Sequence, residues 1–129
     1  MLVQCKETFR QQIIEGTIYL VIEILVKRNP YSVRYRVVDS EGYPAIYDAE
    51  KFEIISNRIN QFALSLTQNH MAVSPKRIVD SELNKKDIEG FWGLFIEDDL
   101  EAIELLKEVI SELAADENIE PPQLDIVTG

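Results

Sequence analysis

The sequence has few of the residues that build most catalytic sites. Its 129 residues include one cysteine, Cys5, and one histidine, His70. A lone cysteine excludes an internal disulfide and fits a reducing compartment. Nucleophilic catalysis by a cysteine and a histidine would require these two side chains to meet. A buried, inert Cys5 and a surface or capping His70 are the simpler interpretations.

Motifs for phosphate binding and hydrolysis are missing as well. The chain has no G-x-G-x-x-G, Walker loop, nucleophile-elbow serine or C-x-x-C, and its five glycines form no phosphate-cradling loop. The longest apolar-rich run, residues 17–26, contains Glu23 and is too short to span a bilayer. The N-terminus lacks the basic start and apolar run of a signal peptide. We therefore expect a cytoplasmic protein that is not an enzyme and that binds no cofactor, metal or membrane.

Negative charge is concentrated in the last quarter of the chain. The formal net charge is −10, and residues 97–129 hold eleven acidic residues and one basic residue, Lys107. Residues 1–96 therefore sum to zero. This balance argues against nonspecific nucleic-acid binding, which relies on Lys and Arg to neutralise phosphates. A solvated helix face with a repelling tail explains the charge, and an acidic surface for a basic partner is the alternative.

The most chemically suggestive stretch is the acidic run Glu97-Asp98-Asp99, with Glu101 just beyond it. Asp98 and Glu101 match a capping box, and each carboxylate here would face the positive end of a helix dipole, worth roughly 0.3–1 kcal/mol. A metal site would need carboxylates converging from several elements, or a calcium-loop spacing that is absent here. The run therefore predicts the start of a helix, with Asp98 as its N-cap.

Hydrophobic periodicity predicts an α+β protein with an antiparallel sheet, the element order α-β-β-β-α-β-β-α, and helices packed on one side of the sheet. The first predicted strand alternates, with Ile18, Leu20, Ile22, Ile24 and Val26 on one face. The predicted elements are a helix at 3–14, strands at 17–27, 32–39 and 43–47 with a turn at Asn29-Pro30, a helix from Asp48 to Asn69, a hairpin within 70–96, and a helix over 100–113.

Two regions are harder to interpret. In residues 74–90, Ser74-Pro75 could open a helical turn, whereas residues 77–79 could be a strand that pairs with 91–96, which we favour. After Ala115, acidic residues and Pro121-Pro122 predict a disordered acidic tail over 116–129. Residues 1–115 would then form the single α+β domain.

Basic and aromatic residues are the candidate contacts for another protein. Lys27, Arg28, Arg34 and Arg36 flank the turn NPYS, and this hairpin tip could be simply solvated, could contact protein or could bind nucleic acid. The run GFWGLF is either core or part of a subunit interface, since glycines let another backbone approach. The residues singled out for a protein contact are Arg34, Arg36, Tyr35, Trp92 and Phe91.

The predicted order of elements resembles the class I type III secretion chaperones and their relatives outside secretion systems. The resemblance covers roughly residues 3–114 and concerns element order, size and acidity; no residue motif is shared. It implies a non-enzymatic α+β domain that homodimerises and presents hydrophobic surface to a polypeptide partner. It carries no site residues across.

Three functions are consistent with the sequence. The leading expectation is a protein-binding module, a chaperone-like or adaptor homodimer that presents apolar surface to another protein and binds no nucleic acid. The first alternative is an inhibitor or immunity-type protein that uses Glu104, Glu108 and Glu112 against a basic partner site. The second is a small enzyme whose pocket brings Cys5, His70 or Glu23 together.

Overall fold

The computed structural model describes residues 1–28, 30–66 and 70–125, with His70 as backbone alone. The strands are β1 (Leu2–Cys5), β2 (Ile18–Lys27), β3 (Ser32–Val38), β4 (Pro44–Asp48), β5 (Phe52–Ser56), β6 (Phe62–Leu66) and β7 (His70–Pro75). The helices are α1 (Lys76–Val79), α2 (Gly90–Ile96) and α3 (Leu100–Asp116), with 3-10 turns at Ala49–Lys51 and Glu82–Lys85. None of these helices is long and apolar enough to cross a membrane, which holds for the residues that the structure describes.

All strand pairs in the sheet are antiparallel, and β2 is its central strand. One side of β2 pairs with β3, which pairs in turn with β4. On the other side, the start of β2 pairs with β1 and its end pairs with β7. Strand β5 then extends the β1 branch and β6 extends the β7 branch. The sheet therefore divides into two branches beyond β2.

Each face of the sheet supports its own apolar core. On the face that we call the helix face, Leu20, Ile22 and Val38 pack against the buried residues of all three helices. On the opposite face, here called the loop face, Tyr19 and Val21 pack beneath the segment 6–17. The α+β class, the antiparallel sheet and the placement of the helices on one side of it are therefore confirmed.

A β-bulge in β2 changes which side chains reach each face. The pairing of β2 with β3 shifts register between Val21 and Glu23. Such an extra residue leaves two successive side chains on the same face. Ile22 and Glu23 both lie on the helix face, whereas Ile24 packs into the loop-face core. The predicted single face running from Ile18 to Val26 is thus wrong beyond Ile22.

The predicted element order is wrong at its first helix. Leu2–Cys5 is a strand: its backbone pairs with β2 on one side and with β5 on the other, and Leu2, Val3 and Cys5 are buried on the faces of the sheet. The backbone at Arg10 and Gln11 has φ of 51° and 64°, which no α-helix tolerates in its interior. The apolar residues in 3–14 therefore have a loosely helical spacing, but the segment does not form a helix.

The helix predicted from Asp48 to Asn69 is also wrong. A 3-10 turn follows Asp48, and four of the five apolar residues that had suggested a helical stripe lie in strands β5 and β6, with Ile59 between the strands. Apolar steps of three and four residues also fit two short strands when a mostly polar segment separates them, and residues 57–61, NRINQ, provide that break. The described residues do not include Asn29, Asn69, residues 126–129 or the side chain of His70.

The hairpin predicted within 70–96, in which residues 77–79 pair with 91–96, is wrong. Strand β7 pairs with β6 and β2, and residues 77–79 belong to α1. Residues 91–96 are helical, because Phe91, Leu94 and Phe95 follow the i, i+3, i+4 spacing of a buried helical stripe. Strand therefore ends at Pro75, and helical turns follow it.

The cap of α3 lies one residue later than predicted. Asp99 is the N-cap, and its Oδ1 accepts a hydrogen bond of 3.0 Å from the Ala102 backbone N–H. Asp98 instead has φ of 62° in the turn before the helix. Glu101 lies in the first turn, where its carboxylate pairs with Lys86 at 3.6 Å. The acidic run starts a helix, as predicted, but Asp98 does not cap it.

The segment after α3 makes definite contacts up to Asp125. The Asp125 N–H donates to the Gly42 carbonyl at 2.9 Å, and Leu124 packs against the helix-face core. Asp116 is the last residue of α3. The division into a domain of residues 1–115 and a disordered tail over 116–129 stays a prediction, and the described part of that tail contacts the domain through Leu124 and Asp125.

Candidate functional site

A buried carboxylate lies at the centre of the helix face. Glu23 is only 5% exposed. Its Oε1 accepts a hydrogen bond of 3.0 Å from Arg36 Nε. Its Oε2 accepts bonds of 2.8 Å from Ser74 Oγ and 3.2 Å from Trp92 Nε1. The negative charge is therefore balanced by one guanidinium and held by three donors, as a buried charge requires.

Four separate elements bring this cluster together. The bulge in β2 turns Glu23 to the helix face, directly opposite Arg36 of β3 in the strand register. Ser74 comes from β7 and Trp92 from α2. The cluster thus joins the central strand to one branch of the sheet and to the helical layer.

Arg36 is held on several sides but keeps unused donors. Its guanidinium carbon lies 3.8 Å from the centre of the Trp92 ring, and one terminal N–H donates to the Pro44 carbonyl at 3.3 Å. Burial lowers the pKa of Arg36, and the Glu23 charge opposes that effect. A guanidinium has five N–H donors, and among the described residues two of them have acceptors. No buried side-chain nitrogen there lacks a partner, so Nη2, which has no acceptor, is at least partly exposed to solvent.

Two adjoining clefts open beside this arginine. The first, which we call the inner cleft, has a volume of about 480 Å³ and lies between the sheet and α2. The second, here the basic cleft, has a volume of about 370 Å³. Leu25 and Arg36 line both. The lining residues of the basic cleft are Leu25, Val26, Lys27, Arg34, Arg36 and Ile46.

The structure separates the five residues predicted to contact another protein. Arg34, Arg36 and Trp92 lie on the helix face beside the two clefts. Phe91 is 1% exposed and contacts Trp92 edge-on, with ring centres 5.0 Å apart. Tyr35 is buried in the opposite, loop-face core. Phe91 and Tyr35 are therefore core residues in this chain, whereas the other three border open space.

The residues of the enzyme hypothesis are not gathered into one pocket in the part of the chain described. Cys5 belongs to the loop-face core and donates from Sγ to the Glu7 carbonyl at 3.1 Å. Glu23 lies on the opposite face of the sheet. Across residues 1–28, 30–66 and 70–125, no group of three His, Cys, Asp or Glu side chains is placed to hold a metal ion.

Three strands lie at edges of the sheet, each with one neighbour in the described structure: β4, β5 and β6. Proteins protect such edges with Pro, charge or a bulge, since free N–H and C=O groups can pair with another chain. Strand β4 begins at Pro44 and ends at Asp48, and β5 contains Glu53 and pairs irregularly with β1. Strand β6, with the sequence FALSL, has none of these features.

An exposed apolar surface adjoins that unprotected edge. Leu64 and Leu66 of β6 are 57% and 70% exposed. In the strand register Leu64 lies opposite Val73 of β7, and Leu66 opposite Met71. Both β7 side chains are half-buried. Because alternate residues of a strand share a face, these four side chains form one patch, which we call the β6 patch.

Sequence reasoning missed both the Glu23 cluster and the β6 patch. A lone acid in the apolar strand IYLVIEILVK was the available signal for the first. Nothing local identified Ser74 as its partner, because that contact spans fifty-one positions of sequence. The β6 patch was hidden because its leucines had been placed on a helix.

Comparison with known proteins gives no further guide to function. No protein-family model, no curated protein and no solved structure matches this chain.

Proposed function

We propose that this protein is a non-enzymatic protein-binding module that accepts an extended apolar segment of a partner polypeptide as an added strand on β6. The observation that carries the proposal is the combination at β6 of a free, uncharged strand edge with exposed leucines. Strand addition supplies affinity through backbone hydrogen bonds and selectivity through alternate side chains. This is a chaperone-like or adaptor role, and we place it in the cytoplasm.

The register of β6 determines which backbone groups face outward. The Lys76 N–H donates to the Gln61 carbonyl at 2.8 Å, so these two residues form a hydrogen-bonded pair. Hydrogen-bonded and open pairs alternate along an antiparallel ladder. Leu64 and Leu66 therefore occupy open pairs, and their N–H and C=O groups point away from β7. An incoming strand would bond to these groups and lay every second side chain on the β6 patch.

The energetics favour reversible binding. Full burial of a leucine contributes about 1.5–3 kcal/mol, so covering the exposed parts of Leu64 and Leu66 would contribute about 2–4 kcal/mol. Each backbone hydrogen bond adds about 0.5–1.5 kcal/mol. Association itself costs about 4–15 kcal/mol in lost motion. Gains and cost are of the same order, which fits a protein that binds and releases its partner.

This proposal does not depend on the resemblance to secretion chaperones, whose expected element order differs from the observed one. Homodimerisation, which that resemblance implies, is a separate proposal. The inhibitor alternative has less support, since Arg77 already pairs with Glu108 and Glu112 and neutralises part of the acidic helix face.

A short labelled peptide of alternating valine and threonine tests the proposal by fluorescence anisotropy. We expect saturable binding that weakens at least tenfold in the double variant Leu64→Lys/Leu66→Lys. The matched control is Ile88→Lys/Ile96→Lys, which places the same charges on two isoleucines that are exposed elsewhere (101% and 65%). That control should bind like the parent chain.

Two results would overturn the proposal. One is peptide binding that the β6 substitutions leave unchanged. The other is self-association through β6, seen by size-exclusion chromatography with light scattering, that excess peptide does not reverse. In the second case β6 would serve as an interface between two copies of this chain.

A further inference from the structure

The basic cleft has an unusual composition for this protein. The chain carries a net charge of −10, yet the cleft is lined by Lys27, Arg34 and Arg36 and by no acidic side chain. The three cations come from two adjacent strands and surround Leu25. A small surface that gathers three positive charges in an acidic protein attracts anions.

Neighbouring acids leave this positive charge largely uncompensated. Glu23 pairs with Arg36, but it lies beyond the lining of the basic cleft. Asp48 is the register partner of Arg34, but in the part of the chain described here neither Arg34 nor Lys27 forms an ion pair with any carboxylate. The charge of Arg34 also contributes to the lowered pKa of Arg36, so the two guanidinium groups repel each other. An anion between them would relieve that repulsion.

Arg36 supplies donors for such an anion. Its Nε and Nη1 donate to Glu23 and Pro44, and Nη2, which has no acceptor among the described residues, is exposed on a side chain that lines both clefts. The contacts with Glu23 and Trp92 fix the orientation of the guanidinium before a ligand arrives. A donor that is already positioned loses little conformational freedom on binding.

The apolar lining and the volume indicate the rest of the ligand. Leu25 and Ile46 provide aliphatic surface between the cations. A volume of about 370 Å³ falls at the lower end of the range for small-molecule sites. It suits an anionic head group carried on a short hydrocarbon body.

We propose that the basic cleft binds a small organic anion, a carboxylate or phosphate monoester with a short apolar body. Arg34, Arg36 and Lys27 hold the anionic group, and Leu25 and Ile46 contact the apolar body. A long polyanion is a poorer occupant, because the acidic charge of residues 97–129 repels it. This site lies on β2, β3 and β4 and does not depend on the proposed strand addition, which uses the edge strand β6.

Hexanoate, hexyl phosphate, hexylamine and inorganic phosphate are the probes for this site. Trp92 is the only tryptophan and stacks on Arg36, so its fluorescence reports events at the guanidinium. We expect either hexanoate or hexyl phosphate to change this fluorescence saturably, with the stronger of the two identifying the head group. Inorganic phosphate should bind more weakly because it lacks the apolar body, and hexylamine should not bind.

Substitutions decide whether the cleft is the site. Loss of one charged hydrogen bond weakens binding by roughly tenfold or more, so Arg34→Gln and Lys27→Gln should each weaken the preferred anion by at least that factor. Arg10→Gln, at an exposed arginine over Phe9, is the control and should bind like the parent chain. Equal binding of hexylamine, or anion binding that survives both cleft substitutions, would overturn the proposal. So would binding of an acidic peptide or an oligonucleotide with no binding of either small anion.

Discussion

The buried pair of Glu23 and Arg36 offers the sharpest test of how this fold is held together. We consider the single variants Glu23→Leu and Arg36→Leu and the double variant. Removing one partner of a buried pair strands the other charge, which costs about 3–5 kcal/mol. Arg36 borders two clefts and its side chain is 14% exposed, so water reaches it in part. We therefore take the lower end, about 3 kcal/mol for each single variant.

The double variant removes both charges together. Apolar residues of similar volume often replace a buried pair at little cost. Here the Trp92 indole N–H and the Ser74 hydroxyl would lose their acceptor, which costs about 1–3 kcal/mol in total if both relax toward the cleft. The double variant should thus be destabilised by about 3 kcal/mol or less. The coupling free energy, which is the difference between the sum of the two single effects and the effect of the double variant, is then about 3 kcal/mol.

Urea unfolding measures these free energies. Fluorescence of Trp92 follows the helix-face core, and far-ultraviolet circular dichroism provides a second probe that does not depend on the mutated contacts. The control cycle is Arg77→Leu with Glu112→Leu, an exposed pair in which both side chains are over 40% exposed. That pair should couple by no more than about 0.5 kcal/mol. Strictly additive effects of Glu23→Leu and Arg36→Leu would falsify the view that this pair is desolvated.

Three other predictions concern the helix cap, a close backbone contact and a buried tyrosine. Asp99→Ala should lower the free energy of unfolding by about 1 kcal/mol, because it removes the N-cap of α3. Asp98→Gly should instead raise the free energy of unfolding by up to about 1 kcal/mol, since φ at Asp98 is 62°. Urea titrations measure both effects, and equal losses of stability in the two variants would contradict the assignment of Asp99 as the cap. Gly42→Ala should destabilise the protein more than Gly16→Ala in the same assay. Both glycines have positive φ, but only at Gly42 would a β-carbon lie 2.7 Å from the Asp125 nitrogen. Ending the chain at residue 120 should remove the difference in stability between the two variants. Burial and the hydrogen bond to Asp39 raise the pKa of Tyr47 well above its ordinary value. The unfolded chain therefore releases this proton at lower pH than the folded chain, and stability should fall as pH rises above about 10. Tyr47→Phe should make that fall less steep, and an unchanged dependence of stability on pH would contradict the role given to Tyr47.

The sequence allowed the fold class to be predicted because alternation and composition are averaged over many residues. The strands near 18–27, 32–38 and 44–48 and the last helix were all predicted, since each has a clear period of its own. The errors fell where short elements met. An apolar spacing of three and four residues over 52–66 is compatible with one helix or with two strands, and only the partner strands β1 and β7 decide between them.

The candidate site was predictable only in part, for a related reason. Arg36 and Trp92 had both been singled out, but from separate features, and nothing in the sequence indicated that they would stack. Both side chains also donate to Glu23, which reaches them because of the bulge in β2. A bulge adds one residue to one strand and leaves no periodic signal of its own. Side-chain pairs that depend on it therefore cannot be predicted from alternation.

The unprotected edge of β6 has a consequence for the free protein. Free strand edges promote pairing between copies, and a patch that includes Leu64 at 57% and Leu66 at 70% exposure adds an apolar driving force. The acidic charge opposes self-association over long range, but salt screens it within about 8 Å at physiological ionic strength. Without a partner, we therefore expect the chain to self-associate as salt and protein concentration rise. Leu64→Lys should suppress this by placing a charge on the edge, as natural edge strands do. Light scattering across a salt series measures the effect. A parent chain that stays monomeric at high salt would show that the β6 edge is not available for pairing, and strand addition would fail with it.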